Sequence, residues 1–284
     1  MSSTANVKSS GTITLGGELT VNRLGYGAMR ITGQGIWGPP KDESESRAVL
    51  KRAVEAGVNF IDTADAYGPD VSERLIAEAL RPYPRDLVIG TKGGQRRQGP
   101  NLWAPDGRPE HLRAALEGSL ERLGVDRIDL YQLHRPDPKV PFEESVGEIV
   151  RLRDEGKVRL IGLSNVSVEQ VRSAQRLTPI ASVQNRFNLE DRSSDAVLAA
   201  VEQEGIAFLP WAPLGGNARI GGAIEQVAEA HDATATQVLL AWLLALSPVM
   251  LPIPGTGSLA HLEENLGAAS LELTGEDLAK LSQA

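Results

Sequence analysis

From Arg23 onward, short β-rich runs alternate with longer segments whose apolar residues recur at helical spacing. The runs are RLGYG, VNFIDT, DLVIGTK, RIDLYQLH, VRLIGLSN, SVQNRF, AFLPWAP and VMLPIPG. Between them, Leu112, Leu116, Leu120 and Leu123 share one helical face, as do Phe142, Val146, Ile149 and Val150. Several runs, DLVIGTK and RLIGLS among them, are apolar nearly throughout, the pattern of strands covered by helices or lining a closed barrel. Eight strand–helix units predict an α/β fold of the (β/α)8 TIM barrel type, with a doubly wound open sheet as the alternative. Ahead of them, TITLGGELTV reads as two short strands about Gly16-Gly17, an N-terminal β-hairpin plugging the barrel bottom. No linker of Pro, Gly or Ser composition divides the chain, so one domain over 1–284 is expected, with residues 1–11 as a polar, disordered tail.

Composition narrows the chemistry. The 284 residues include no cysteine, which excludes disulfides, thiolate zinc sites and a cysteine nucleophile. The formal net charge of −8 argues against nucleic-acid binding, and the densest basic cluster, Lys92 with Arg96 and Arg97, is too short to track a phosphate backbone. The N-terminus lacks the apolar stretch of a secretory signal. The longest apolar run, Val238 to Leu246, is too short for a membrane span and reads as a buried helix. A cytoplasmic protein without a metal centre, plausible as a monomer and acting on a small molecule, is the expectation.

Two motifs mislead. Gly33-Gln34-Gly35-Ile36-Trp37-Gly38 matches the GxGxxG dinucleotide fingerprint, but it runs into Pro39-Pro40 where the fingerprint requires a helix, so a loop is predicted. Asn165-Val166-Ser167 is formally a glycosylation sequon and carries no meaning in a cytoplasmic protein.

The ends of the predicted strands are unusually polar. VNFID ends in Asp62, with Tyr67 five residues on; DLVIGTK ends in Lys92, RIDLYQLH in His134, RLIGLSN in Ser164 and Asn165, and SVQN in Gln184 and Asn185. In a barrel these ends form one rim, where the chemistry sits. If Asp62, Tyr67, Lys92 and His134 meet there, Lys92 supplies the cation that favours a tyrosinate, Asp62 orients that cation, and His134 bonds a substrate oxygen. Such a set suits protonation of an oxyanion forming at a carbonyl carbon.

The sequence resembles the aldo-keto reductases over nearly its whole length. The resemblance lies in GVNFIDTADAYG, GTKGG, LHRPD, IGLSN, VQN, PWAPLGG and PIPGTGSLAHLEENLGA, in the family's order. It implies a catalytic tetrad of Asp62, Tyr67, Lys92 and His134 with Tyr67 as proton donor. It further implies that Ser164, Asn165 and Gln184 hold the nicotinamide carboxamide, that Trp211 stacks on the ring, and that Ala212 and Leu214 also line the cofactor. GYGAMR, GPP and LGG resemble the bacterial pyridoxal reductases of the family, which makes pyridoxal a candidate substrate. Trp37 and Trp103, in long loops after the first and third strands, are candidate walls of an apolar substrate pocket. The chain ends soon after its eighth unit, so the long C-terminal loop of larger relatives is expected to be shortened and the pocket more open.

Phosphate is expected on the loops after strands seven and eight, Leu214-Gly215-Gly216-Asn217 and Gly255-Thr256-Gly257-Ser258. The second opens a helix with Ser258 as its predicted cap. Where many family members carry Lys and Arg for the ribose phosphate, this chain has Gly255 and His261, while Glu264 and Asn265 match adenine-contacting positions. The expected cofactor is NADP(H), with NAD(H) left open. Two rival readings are a Schiff-base aldolase using Lys92, disfavoured because an ion-paired ammonium is a poor nucleophile, and a cofactor-sensing regulatory subunit.

Overall fold

The computed structural model describes residues 6–215 and 222–282. Its strands are β1 (Thr12–Leu15), β2 (Leu19–Asn22), β3 (Tyr26–Gly27), β4 (Phe60–Asp62), β5 (Val88–Gly93), β6 (Gln95–Gly99), β7 (Leu102–Pro105), β8 (Ile128–Leu133), β9 (Val158–Ser164), β10 (Ser182–Arg186) and β11 (Ala207–Trp211). Its α-helices are α1 (Glu43–Glu55), α2 (Val71–Leu80), α3 (Pro109–Leu123), α4 (Phe142–Asp154), α5 (Val168–Gln175), α6 (Asp195–Gln203), α7 (Gly222–Ala230), α8 (Ala235–Leu246), α9 (Leu259–Gly267) and α10 (Gly275–Leu281).

Seven strands form one parallel sheet in the order β11-β10-β9-β8-β5-β4-β3. The eighth predicted run closes it. On one side the amide of Phe208 donates to Val249 O (2.9 Å) and that of Leu251 to Phe208 O (2.9 Å); on the other, Gly25 donates to Pro252 O (2.9 Å) and Gly27 to Pro254 O (3.4 Å). Pro252 and Pro254 have no N–H to return, so this segment lies in the position of a strand without a full ladder. The seam is tight: a Cβ on Gly27 would stand 2.6 Å from Ile253 O, and one on Gly255 only 2.4 Å from Gly27 O. The result is the (β/α)8 barrel, with the doubly wound sheet excluded by this closure.

The helices bury the faces their spacing predicts. Leu112, Leu116 and Leu123 of α3 are buried, as are Val146 and Ile149 of α4. In α8, every residue from Val238 to Leu243 is buried, which explains a run with no polar face. Among the described residues no helix is long and apolar enough to cross a membrane. The hairpin β1–β2 turns through Gly16 and Gly17, both at left-handed φ, and a Cβ on Gly16 would strike Leu160 of β9. Its tip therefore lies against the lower part of the barrel wall. The GQGIWG segment is a loop, with Gly33 donating to Gly38 O (2.9 Å).

The expectation of a disordered tail through residue 11 is corrected. Val7–Ser10 forms a 3-10 turn capped by Asn6, Val7 is fully buried, and its amide donates to Ala56 O (3.1 Å). Val7, the one apolar side chain in residues 6–11, packs over Gly57, where an added Cβ would lie 3.4 Å from Val7 Cγ2.

Candidate active site

The parallel register brings the inward residues of successive strands to one end of the barrel. Asp62 closes β4, Lys92 lies near the end of β5, and His134 follows β8 directly. Lys92 is fully buried. Its Nζ donates to Asp62 Oδ2 (2.6 Å), to Thr63 O (2.8 Å) and to Tyr67 Oη (3.3 Å), so its three protons each have a partner. Asp62 Oδ1 in turn accepts from Gln132 Nε2 (3.1 Å) and Gln184 Nε2 (2.8 Å). The Tyr67 and His134 rings meet edge to face at 5.9 Å, and His134 Nδ1 is buried with no partner among the described residues.

The electrostatics follow from this geometry. Burial works against the Lys92 charge, but Asp62 and Tyr67 outweigh it and hold its pKa above the ordinary lysine value. Burial raises Tyr67, and Lys92 only partly offsets it. Tyr67 therefore rests as a phenol, the form that a proton donor requires. Burial, with help from Lys92, pushes His134 well below the usual imidazole range, so it is neutral. The buried, fully bonded ammonium also has no lone pair to attack a carbonyl, which counts against the aldolase reading.

The nicotinamide candidates gather on the neighbouring strand ends. Asn165 Nδ2 donates to His134 O (3.1 Å) and Ser164 Oγ (2.9 Å), and its Oδ1 accepts from Trp211 Nε1 (3.1 Å). Trp211 is half-buried and thus keeps surface for a ligand. Gln184 gives one N–H of its amide to Asp62, which leaves its second N–H and its Oε1 for a carboxamide. Asn185 is a clamp, bonded to both Val166 N (3.0 Å) and Val166 O (2.8 Å). Ala212 takes a left-handed φ of 51° and its carbonyl accepts from Asn188 (3.0 Å). Leu214 is half-buried, whereas Gly216 and Asn217 lie outside the described residues.

At the eighth loop, Thr256 is buried and its Oγ1 accepts from Ser258 N (3.0 Å). Ser258 occupies the N-cap position of α9, but its side chain makes no capping bond, contrary to the expectation. The first turn of α9 thus keeps free N–H groups and carries no acidic residue, and Gly255 and His261 are exposed beside it. Asn265 is buried and Glu264 half-buried on the same helix. Arg30, far away in the chain, also reaches this loop: it is exposed, and a Cβ on Gly257 would stand 3.0 Å from its carbonyl. The free amides and the Ser258 hydroxyl fit a phosphate.

Trp103 joins the tetrad, with its ring 6.3 Å from Tyr67 and 6.1 Å from His134. Trp37 does not touch the tetrad rings; Arg97 lies between the two indoles, 3.7 Å from Trp103 and 5.8 Å from Trp37. Sequence reasoning missed Gln132, which bonds Asp62 in the site, and Arg97, which lies outside the tetrad and holds the loops beside it. Gln132 carried a usable signal: it shares strand parity with His134 and is polar at a position that faces the barrel interior.

The buried Asp–Lys–Tyr set and the neutral His thus lie together at the barrel mouth, next to a loop suited to an anion. The Aldo/keto reductase family profile matches residues 23–284. The chain is 50% identical over 284 residues to an uncharacterized oxidoreductase of Schizosaccharomyces pombe, covering 99% of this chain and 92% of the other. It is 43% identical over 281 residues to pyridoxine 4-dehydrogenase of Escherichia coli, covering 96% and 98%. The crystal structure of an aldo/keto reductase from Klebsiella pneumoniae in complex with NADP and acetate matches with a TM-score of 0.80 at 27% identity, covering 96% and 94%. The chain belongs to the aldo/keto reductase family and is an NAD(P)H-dependent oxidoreductase acting on small-molecule carbonyl substrates.

Proposed function

We propose that the protein reduces an aldehyde or ketone with NADPH, with Tyr67 as the general acid. The observation that carries this reading is the Lys92 ammonium, saturated by Asp62, Thr63 and Tyr67 and set 3.3 Å from the phenol oxygen. When bound, the nicotinamide supplies the hydride. The chain supplies the proton: Tyr67 enters as a phenol and gives its proton to the oxygen on which charge develops. The phenolate left behind faces Lys92, so the cation stabilises charge that is absent in the ground state, as a catalytic interaction must. His134, held neutral, would donate a ring N–H to the same substrate oxygen without competing as an acid.

Ser164, Asn165 and Trp211 would hold the nicotinamide end. Thr256, Ser258, the first turn of α9, His261 and Arg30 would hold the ribose phosphate, with Glu264 and Asn265 toward the adenine. Arg30, exposed and with its backbone against the loop, would supply a cation that the loop itself lacks, which favours NADPH over NADH. The Escherichia coli relative is named for pyridoxine, so a pyridine-ring aldehyde such as pyridoxal is the candidate substrate. Replacing Tyr67→Phe removes only the proton source. Turnover with NADPH and pyridoxal should fall at least about a thousandfold with cofactor affinity nearly unchanged; undiminished turnover would overturn the assignment.

A further inference from the structure

Three of the exposed large apolar side chains among the described residues, Trp37, Leu102 and Trp103, collect in the loops beside Tyr67. None of these three side chains belongs to the apolar core, and Arg97 stands among them. Its Nε donates to Leu102 O (3.3 Å), its Nη1 to Ile36 O (2.6 Å) and Ala66 O (3.0 Å), and its Nη2 to Gly35 O (2.9 Å) and Gly99 O (3.2 Å). A guanidinium has five N–H groups, and all five are taken by backbone carbonyls. The carbonyls come from three segments: the loop after β3, the residue before Tyr67, and the β6–β7 hairpin that holds Arg97 opposite Trp103. The flat cation also covers the Trp103 ring at 3.7 Å.

We propose that Arg97 is a positioning residue for substrate selectivity, holding Trp103 and Trp37 as rigid walls for a planar aromatic carbonyl compound above Tyr67 and His134. The proposal rests on the carbonyl-reductase reading above. Because its donors are saturated, Arg97 does not bind substrate itself; it acts through the indoles it fixes. Tyr67 is anchored independently, by Lys92 and by Ser72, whose amide donates to Tyr67 O (3.1 Å), so loosening Arg97 leaves the acid in place. Lysine at this position keeps the charge but offers three donors on a flexible stem and cannot bridge the three segments.

The test compares wild type with Arg97→Lys, Trp103→Leu and the double variant, using 4-nitrobenzaldehyde and butanal with NADPH. For Arg97→Lys, KM for the aromatic aldehyde should rise about tenfold with kcat nearly unchanged, while kcat/KM for butanal stays within about twofold. In the double variant the aromatic penalty should fall well short of the two single penalties combined, as expected when Arg97 works largely through Trp103 and only the Trp37 wall is left for it to loosen. A parallel loss for both aldehydes, an unchanged KM, or additive penalties would overturn the proposal. Hydrogen exchange on the cofactor-free protein supplies an arm that needs no turnover. Arg97→Lys should release the amides of Ile36 and Asn101, which close the loop after β3 and join it to the hairpin, and unchanged protection there would refute the bridge. A wild type that reduces neither aldehyde but shows this release would count against the carbonyl-reductase reading and leave the bridge standing.

Discussion

Replacing Lys92→Met removes the charge that the proposed mechanism depends on while keeping most of the side-chain volume. The phenolate formed as Tyr67 gives up its proton lies 3.3 Å from Lys92 Nζ. Two unit charges at that distance interact by about 5 kcal/mol at an effective dielectric of about 20. At about 1.4 kcal/mol per tenfold, the chemical step should slow by about three to four orders of magnitude. Losing the lysine also strands Asp62, buried at 2% exposure and held only by Gln132 and Gln184, at a cost to stability of about 3–5 kcal/mol. A second variant, Lys92→Met with Asp62→Asn, removes both charges and separates the two effects. It should regain most of the lost melting temperature yet remain at least about a hundredfold slower than wild type, recovering only the repulsion that Asp62 exerts on a phenolate. The assay is single-turnover NADPH oxidation under saturating aldehyde, with cofactor affinity by fluorescence titration as the control. A loss below tenfold in the single variant, or full recovery of rate in the double one, would refute the role given to Lys92.

The remaining predictions concern pH and the cofactor. Tyr67 has its pKa raised above 10, so carbonyl reduction, which needs the phenol, should be flat across neutral pH and fall only as pH climbs past that raised value. The reverse oxidation, which needs the phenolate, should rise over the same interval; a pH-rate profile in both directions checks the sign. His134, held neutral, should add no inflection near 6.5, and one that disappears in His134→Gln would contradict its neutral role. At the eighth loop, Arg30→Ala should weaken NADPH about tenfold and leave NADH within about twofold, since only the former carries the extra phosphate. Equal shifts, or a wild-type preference for NADH, would remove the phosphate assignment.

The legible part of this fold is what period alone determines. The seven assigned sheet strands coincide with apolar runs, and α8 with the apolar stretch from Val238. Three members of the tetrad were legible for a related reason: Asp62, Lys92 and His134 each end an apolar run, and barrel geometry converts strand ends into neighbours, whereas Tyr67 lies in the loop five residues past Asp62. Three features were hidden by different physics. Pro252 and Pro254 let the last segment sit in the barrel while denying it half a ladder, so its position was predictable and its hydrogen bonding was not. Val7 is one apolar residue among polar ones, and its burial rests on a distant segment: its amide reaches Ala56 O and its side chain packs over Gly57. Arg97 looked like part of a basic cluster with Lys92 and Arg96. In the structure the cluster dissolves: Lys92 is buried on Asp62, Arg97 lies among carbonyls, and Arg96 stays exposed, 3.7 Å from Asp106. No local pattern tells which carbonyls a guanidinium will find when they belong to three distant loops.

The glutamines bear on how a buried ion pair, which is neutral as a whole, can still act on Tyr67. A lone Asp62–Lys92 pair would present the tyrosine with an attraction and a repulsion of comparable size. Here one carboxylate oxygen faces Lys92, while the other takes two amide donors, so part of the Asp62 charge is compensated on the side away from the cation. Lys92 keeps its third proton for Tyr67. The asymmetry leaves net positive potential at the phenol oxygen at the moment it becomes an anion, in a site too buried for water to supply it. It also accounts for Gln184 turning toward Asp62: with Gln132 alone, Oδ1 would have a single donor for a full buried charge, and the desolvation cost of the carboxylate would rise. The same residues that make the ion pair tolerable in the core therefore make its field useful at the rim.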